Sequence, residues 1–155
     1  MFASGTGIAP FISLIRDPEI YEKFEQIILS HTCREVKDLN YGKSIVETIS
    51  KDPLIGEYAD RVFYYPTVTR ETFHTKGRIT DLLKTGQIFQ DLQLTPISRD
   101  TDRAMICGSI GLNKDIKAFL ETSGLKEGAR NHPAEFVQEK AFVASLNPIG
   151  LGRSF

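Results

Sequence analysis

Seven residues near the start of the chain, Ser4-Gly5-Thr6-Gly7-Ile8-Ala9-Pro10, combine two glycines, two hydroxyls and a proline in an order that suits an anion. Gly5 and Gly7 permit positive φ and close approach of a ligand to the backbone, and Pro10 fits a first helical turn, where its missing N–H is no loss. Free amides at a helix start attract a phosphate, and Ser4 and Thr6 add hydroxyl donors. A pyrophosphate is the anion such a loop takes. By itself a Gly-x-Gly pair also fits an ordinary strand-to-helix turn, and Pro10 stands where the dinucleotide fingerprint G-x-G-x-x-G has its third glycine.

Further polar residues follow strand-like runs. His31-Thr32-Cys33-Arg34-Glu35 offers both the acidic residue that an NAD enzyme places on a ribose 2′-hydroxyl and the arginine of an NADP enzyme, so it leaves the choice open. After the next run come Thr69, Arg70 and, beyond Lys76-Gly77, Arg78. Paired guanidinium groups grip a phosphomonoester in bidentate fashion. Arg70 and Arg78 with Thr69 therefore read as a 2′-phosphate clamp, the alternative being surface arginines paired with Glu71 and Asp81. Cys107-Gly108-Ser109 closes a fourth run, where parallel sheets place ligands. There Gly108 would let the backbone pass a flat ring, and Cys107 reads either as a thiol beside that ring or as an inert buried cysteine. No His-Asp pair accompanies it to generate a thiolate.

The elements that must position these residues alternate. Gln26 to Ser30, Arg61 to Tyr65 and Arg103 to Cys107 are short, branched or aromatic runs bounded by turn residues, as buried strands are. Pro10 to Arg16, Lys43 to Ser50, Ile79 to Leu83 and Asn113 to Thr122 carry apolar residues at helical spacing, the last with Asn113 as its N-cap and Gly124 beyond its end. Glu135 to Val143 reads as a closing strand, and residues 144–155 as an irregular tail. The expectation is an α/β domain over residues 1–143: an open parallel sheet of about five strands with flanking helices. Met1-Phe2-Ala3 is a stub for a first strand, which leads us to expect that residues precede Met1 in a longer protein.

Composition narrows the classes. A formal charge of −1 and a pI near 6.3 argue against a nucleic-acid-wrapping protein. No run of about 18 apolar residues spans a bilayer and no signal peptide opens the chain, so the cytoplasm is the simplest location. Two cysteines, Cys33 and Cys107, cannot make a disulfide framework. His31, His74 and His132 are scattered, read as surface or capping residues, and suggest no metal site.

Taken together, MFASGTGIAPF, HTCRE, TRE with the following GRIT, MICGS and EKAFV resemble, in order from Met1 to Val143, the NADP-binding domain of bacterial plant-type ferredoxin (flavodoxin)–NADP reductases. The resemblance implies an oxidoreductase that passes a hydride between NADP(H) and FAD and single electrons to or from ferredoxin or flavodoxin. It implies that Gly5, Thr6, Gly7, Ile8 and Pro10 hold the pyrophosphate and nicotinamide side, that Thr69, Arg70 and Arg78 hold the 2′-phosphate with Arg34 nearby, and that Cys107 and Gly108 flank the nicotinamide. Of the closing Ala141-Phe142-Val143, which would face the flavin, Ala141 is implied beside the isoalloxazine and Phe142 near the FAD adenine. The family's flavin domain is not in this sequence, so the chain alone is expected to be inactive. The alternatives are a non-catalytic NADP(H)-binding or interaction module and the reductase component of another flavoenzyme of the superfamily.

Overall fold

The structure, a computed structural model, describes residues 1–129 and 131–139. Five strands, β1 (Phe2–Ser4), β2 (Ile27–Cys33), β3 (Val62–Val68), β4 (Ala104–Cys107) and β5 (Phe136–Glu139), form one sheet in the order β3-β2-β1-β4-β5, and every neighbouring pair is parallel. The helices α1 (Ala9–Leu14), α2 (Glu19–Lys23), α3 (Asn40–Thr48), α4 (Ile79–Lys84), α5 (Gln87–Asp91) and α6 (Ile110–Thr122) make the crossovers. The expected open parallel α/β sheet is therefore present. Its three-residue stub lies at the centre of the sheet, with Phe2 paired to Ser30 on one side and Ile106 on the other.

Side-chain alternation along the strands sorts the core into two layers. Phe2, Tyr65, Ala104, Ile106 and Phe136 point to the face covered by α4, α5 and α6, through Ile79, Leu83, Ile88, Ile116 and Leu120. Ala3, Ile27, Leu29 and Cys107 point to the other, against Ile8, Phe11, Ile12, Tyr21 and Ile49. Ile106, Ile116 and Leu120 are fully buried, so truncating any of them to Ala removes about 2–5 kcal/mol.

Several boundaries differ from the sequence reading. Both β2 and β3 run three residues past the expected ends, because each pairs with its neighbour as far as Cys33 and Val68. Helix α6 starts earlier, at Ile110, with Ser109 as its cap: the Ser109 hydroxyl accepts the Leu112 amide at 3.2 Å. Asn113 is inside the helix and buried, donating its side-chain amide to the Glu139 carbonyl at 3.4 Å. The closing strand is described as Phe136–Glu139. Val143, the expected end of the domain, and the tail 144–155 lie outside the described residues. No helix among the described residues is long and apolar enough to cross a membrane.

Candidate functional site

Strand order reverses at β1, whose crossovers leave in one direction to β2 while β4 pairs on its other side. Open parallel sheets form a crevice at the carboxyl ends of such strands. Here the crevice is a cleft of about 1120 Å³ running from Ser4, Gly5 and Thr6, past His31, Thr32 and Cys33, to Arg34, Thr69 and Arg78, with Ser109, Ile110 and Gly111 along one rim.

The glycine end is built by two loops that interlock. Gly5 has φ +52° with open space around it, so the glycine is needed for conformation. Gly7 serves a different end. A Cβ there would sit 2.3 Å from the Cys107 carbonyl oxygen, so only glycine lets this loop cross the end of β4. Gly108 reciprocates, since its Cβ would lie 2.3 Å from the Ser4 hydroxyl, which accepts the Ser109 amide at 2.9 Å. Pro10 occupies the start of α1, as expected. The short 3-10 turn Gly5–Ile8 runs straight into that helix, leaving its leading amides without intrahelical partners.

The floor is buried and polar. His31 is 1% exposed, with Nδ1 2.9 Å from the Tyr64 hydroxyl and Nε2 2.9 Å from the Gly5 carbonyl. This corrects its reading as a surface or capping residue: a histidine on a central strand whose two nitrogens both find partners belongs in the core. Burial lowers its pKa, against opposing effects of the Gly5 carbonyl and Asp38. Cys33 is buried beside it and pushed up to about 11 by that burial. Thr32 and Thr67 share a hydroxyl contact of 2.8 Å.

At the far end the loop after β3 folds back on the loop after β2. Thr69 and Arg70 donate backbone amides to the carbonyls of Cys33 and Arg34 at 3.1 and 3.0 Å, and the Glu71 carboxylate accepts the Val36 amide at 2.7 Å. Glu71 thus fastens the two loops, and among the described residues Arg34, Arg70 and Arg78 enter no ion pair. The cation beside Glu35 is Lys37, at 2.6 Å, and it holds that carboxyl below its usual range.

Of the residues singled out by sequence, Ser4, Gly5, Thr6, Ile8, Arg34, Thr69, Arg78 and Ser109 line the cleft. Gly7, Pro10, Arg70, Cys107 and Gly108 do not. Arg70 is exposed just outside it, and Cys107 has its side chain wholly in the core, where burial raises the thiol pKa. Ala141, Phe142 and Val143 lie outside the described residues. The sequence reading passed over Tyr41 and Ile110, which are 54% and 78% exposed and line the cleft as apolar surface. Nothing in the sequence marks them, since both lie outside the helices it predicts and their exposure appears only in the folded chain. Asp38 and Asp115 add acidic groups to the same lining.

Residues 1–118 match the family described as the oxidoreductase NAD-binding domain. The chain is 56% identical over 142 residues to a flavodoxin/ferredoxin–NADP reductase of Rhodobacter capsulatus, a match covering 91% of this chain and 53% of that protein. It is 46% identical over 144 residues to ferredoxin–NADP reductase A of Sorangium cellulosum, covering 92% and 52%. A crystal structure of a ferredoxin NADP+ reductase from Neisseria gonorrhoeae with bound FAD and NADP is similar with a TM-score of 0.76 at 27% identity, over 90% of this chain and 54% of that one. The chain spans about half the length of these relatives.

Proposed function

The chain belongs to the oxidoreductase NAD-binding domain family, and on that premise we propose that it is the NADP(H)-binding portion of a flavin-dependent ferredoxin/flavodoxin–NADP reductase. The observation that carries the reading is one cleft with a glycine-rich loop at one end and Arg34, Thr69 and Arg78 at the other. Its volume of about 1120 Å³ suits a ligand of dinucleotide size.

In this reading the leading amides of the Gly5–Ile8 turn and the Thr6 hydroxyl bind the pyrophosphate, while Pro10 sets the direction of the helix behind them. Arg78, Arg70 and Thr69, with Arg34 alongside, bind the 2′-phosphate. Lys37 neutralises Glu35, which would otherwise repel that phosphate. The backbone of Cys107, Gly108 and Ser109 borders the nicotinamide, while the protonated Cys107 thiol is turned into the core and does not act as a nucleophile. When bound, NADPH supplies a hydride that FAD accepts in the longer protein.

The domain runs over residues 1–143, followed by the tail 144–155. Ala141, Phe142 and Val143 meet the flavin, the partners are ferredoxin or flavodoxin, and the protein works in the cytoplasm. What supports the flavin and partner assignments is the naming of the relatives and the FAD and NADP in the gonococcal structure. Titrating NADP+ and NAD+ against the chain by calorimetry tests the reading. Tighter binding of NADP+ is expected, and equal affinities would overturn it.

A further inference from the structure

The hydrogen bonds of His31 determine its tautomer. A carbonyl oxygen can only accept, so the 2.9 Å contact to Gly5 requires a proton on Nε2. Nδ1 of the neutral ring is then an acceptor, and the Tyr64 hydroxyl at 2.9 Å must donate to it. Both ring nitrogens are committed, and Cys33 Sγ at 3.3 Å from Nε2 packs against the same edge. Helix α3 seals the arrangement: a Cβ on Gly42 would lie 2.9 Å from the Tyr64 hydroxyl and 3.0 Å from His31 Nδ1.

Gly5 itself is open on the side where a side chain would stand. Nothing lies within 4 Å of its Cβ direction, and at φ +52° a glycine peptide turns over more easily than any other. The Gly5 carbonyl and the Thr6 amide belong to one planar trans unit and point in opposite directions. Whatever holds the carbonyl toward the floor therefore aims the Thr6 amide away from it.

We propose that His31 is a positioning residue that holds the Gly5 carbonyl against the cleft floor, so that the Thr6 amide faces the cleft and meets the ligand pyrophosphate. The proposal rests on the NADP(H) reading above. Without His31 the peptide turns over and presents a carbonyl lone pair to the phosphate, which weakens ligands that carry a pyrophosphate and spares those that do not.

The test compares NADP+ with 2′-AMP, which engages the arginine end alone, in calorimetric titrations of wild type, His31→Leu and His31→Gln. His31→Leu should lose roughly tenfold for NADP+, the size of one charge-assisted hydrogen bond, and less than about twofold for 2′-AMP. His31→Gln, with an amide N–H for Gly5 and an oxygen for Tyr64, should recover most of the loss. An unchanged NADP+ affinity in folded His31→Leu, or equal losses for both ligands, overturns the proposal. Should His31→Leu not fold, Tyr64→Phe gives the same reading, with a smaller loss again confined to NADP+; no such selectivity overturns it. Nitrogen-15 spectra of the wild-type histidines provide a readout independent of any variant. Protonated Nε2 with bare Nδ1 is expected at His31, and the opposite tautomer overturns the assignment. Wild type that binds neither nucleotide would refute the NADP(H) reading, while the tautomer would still report the hold on Gly5.

Discussion

The two ends of the cleft are made by different physics. At the glycine end, Gly7, Gly108, Ser4 and the Cys107 carbonyl fit so closely that a single added methyl would overlap backbone or the Ser4 hydroxyl. At the basic end, Arg34, Arg70 and Arg78 enter no ion pair among the described residues, and their loops are held by backbone bonds and by Glu71. The first end is fixed by packing that exists before any ligand arrives; the second is charge left free to respond to one. The glycine end should decide where a dinucleotide lies, and the basic end which dinucleotide is kept. Damage to the first should appear as lost stability, and damage to the second as lost discrimination.

The largest effect should come from Gly7→Ala, whose Cβ would be 2.3 Å from the Cys107 oxygen. Overpacking against backbone lowers the unfolding free energy by about 3 kcal/mol, read by urea denaturation, and a variant as stable as wild type would break the comparison. Arg78→Ala should do the reverse, leaving stability within about 0.5 kcal/mol. It should weaken NADP+ by about 10- to 100-fold, the value of a charge-assisted contact, while NAD+ binding stays constant. A parallel loss of NAD+ would show that Arg78 supports the fold.

Between the two ends, Cys33 should behave as core. Its thiol is held up at about 11 against a usual value of 9.0, so the folded state keeps a proton that the unfolded chain releases. Stability should therefore be at its full value below pH 9 and fall as the pH rises from 9 towards 11. At pH 10 the loss is about 1 kcal/mol from this group. Tyr64 and Tyr65 are shifted in the same direction, so the measurement is the difference in slope between wild type and Cys33→Ala. Equal slopes would place Cys33 outside the core. Smallest of all, Arg70→Ala, at a residue outside the cleft lining, should cost NADP+ about threefold, in keeping with a solvent-screened ion pair. A loss as large as that of Arg78 would move the clamp outward.

What the sequence disclosed followed from local chemistry. Branched runs such as Gln26 to Ser30, the proline at the start of α1 and the helical spacing of Ile116 and Leu120 are properties of neighbouring residues, and they yielded the parallel sheet and the loop. What escaped depends on distant partners. His31 looks like a surface residue until Tyr64 and Gly5, 33 and 26 positions away, are brought to it. Ser109 and Asn113 are both good caps by type, and the Glu139 carbonyl draws Asn113 into the interior. Gly7 and Gly108 were legible as glycines near a ligand, but their use against Cys107 and Ser4 appears only when β1 lies beside β4. Arg70 and Arg78 look equivalent in sequence, and the fold-back of the loop after β3 separates them.

That pairing of β1 with β4 also sets an order in time. Phe2 and Ile106 are neighbours in the sheet although 104 positions separate them. Contacts of such long range form late, because loop closure must come before any reward from pairing. During synthesis the glycine loop emerges before β4 and waits for it before Gly7 and Ser4 have anything to lock against. Recovery of nucleotide binding after dilution from denaturant should accordingly lag the return of helical circular dichroism. The ability to bind would then be the last property this domain acquires, although its binding loop is made well before the strand that locks it.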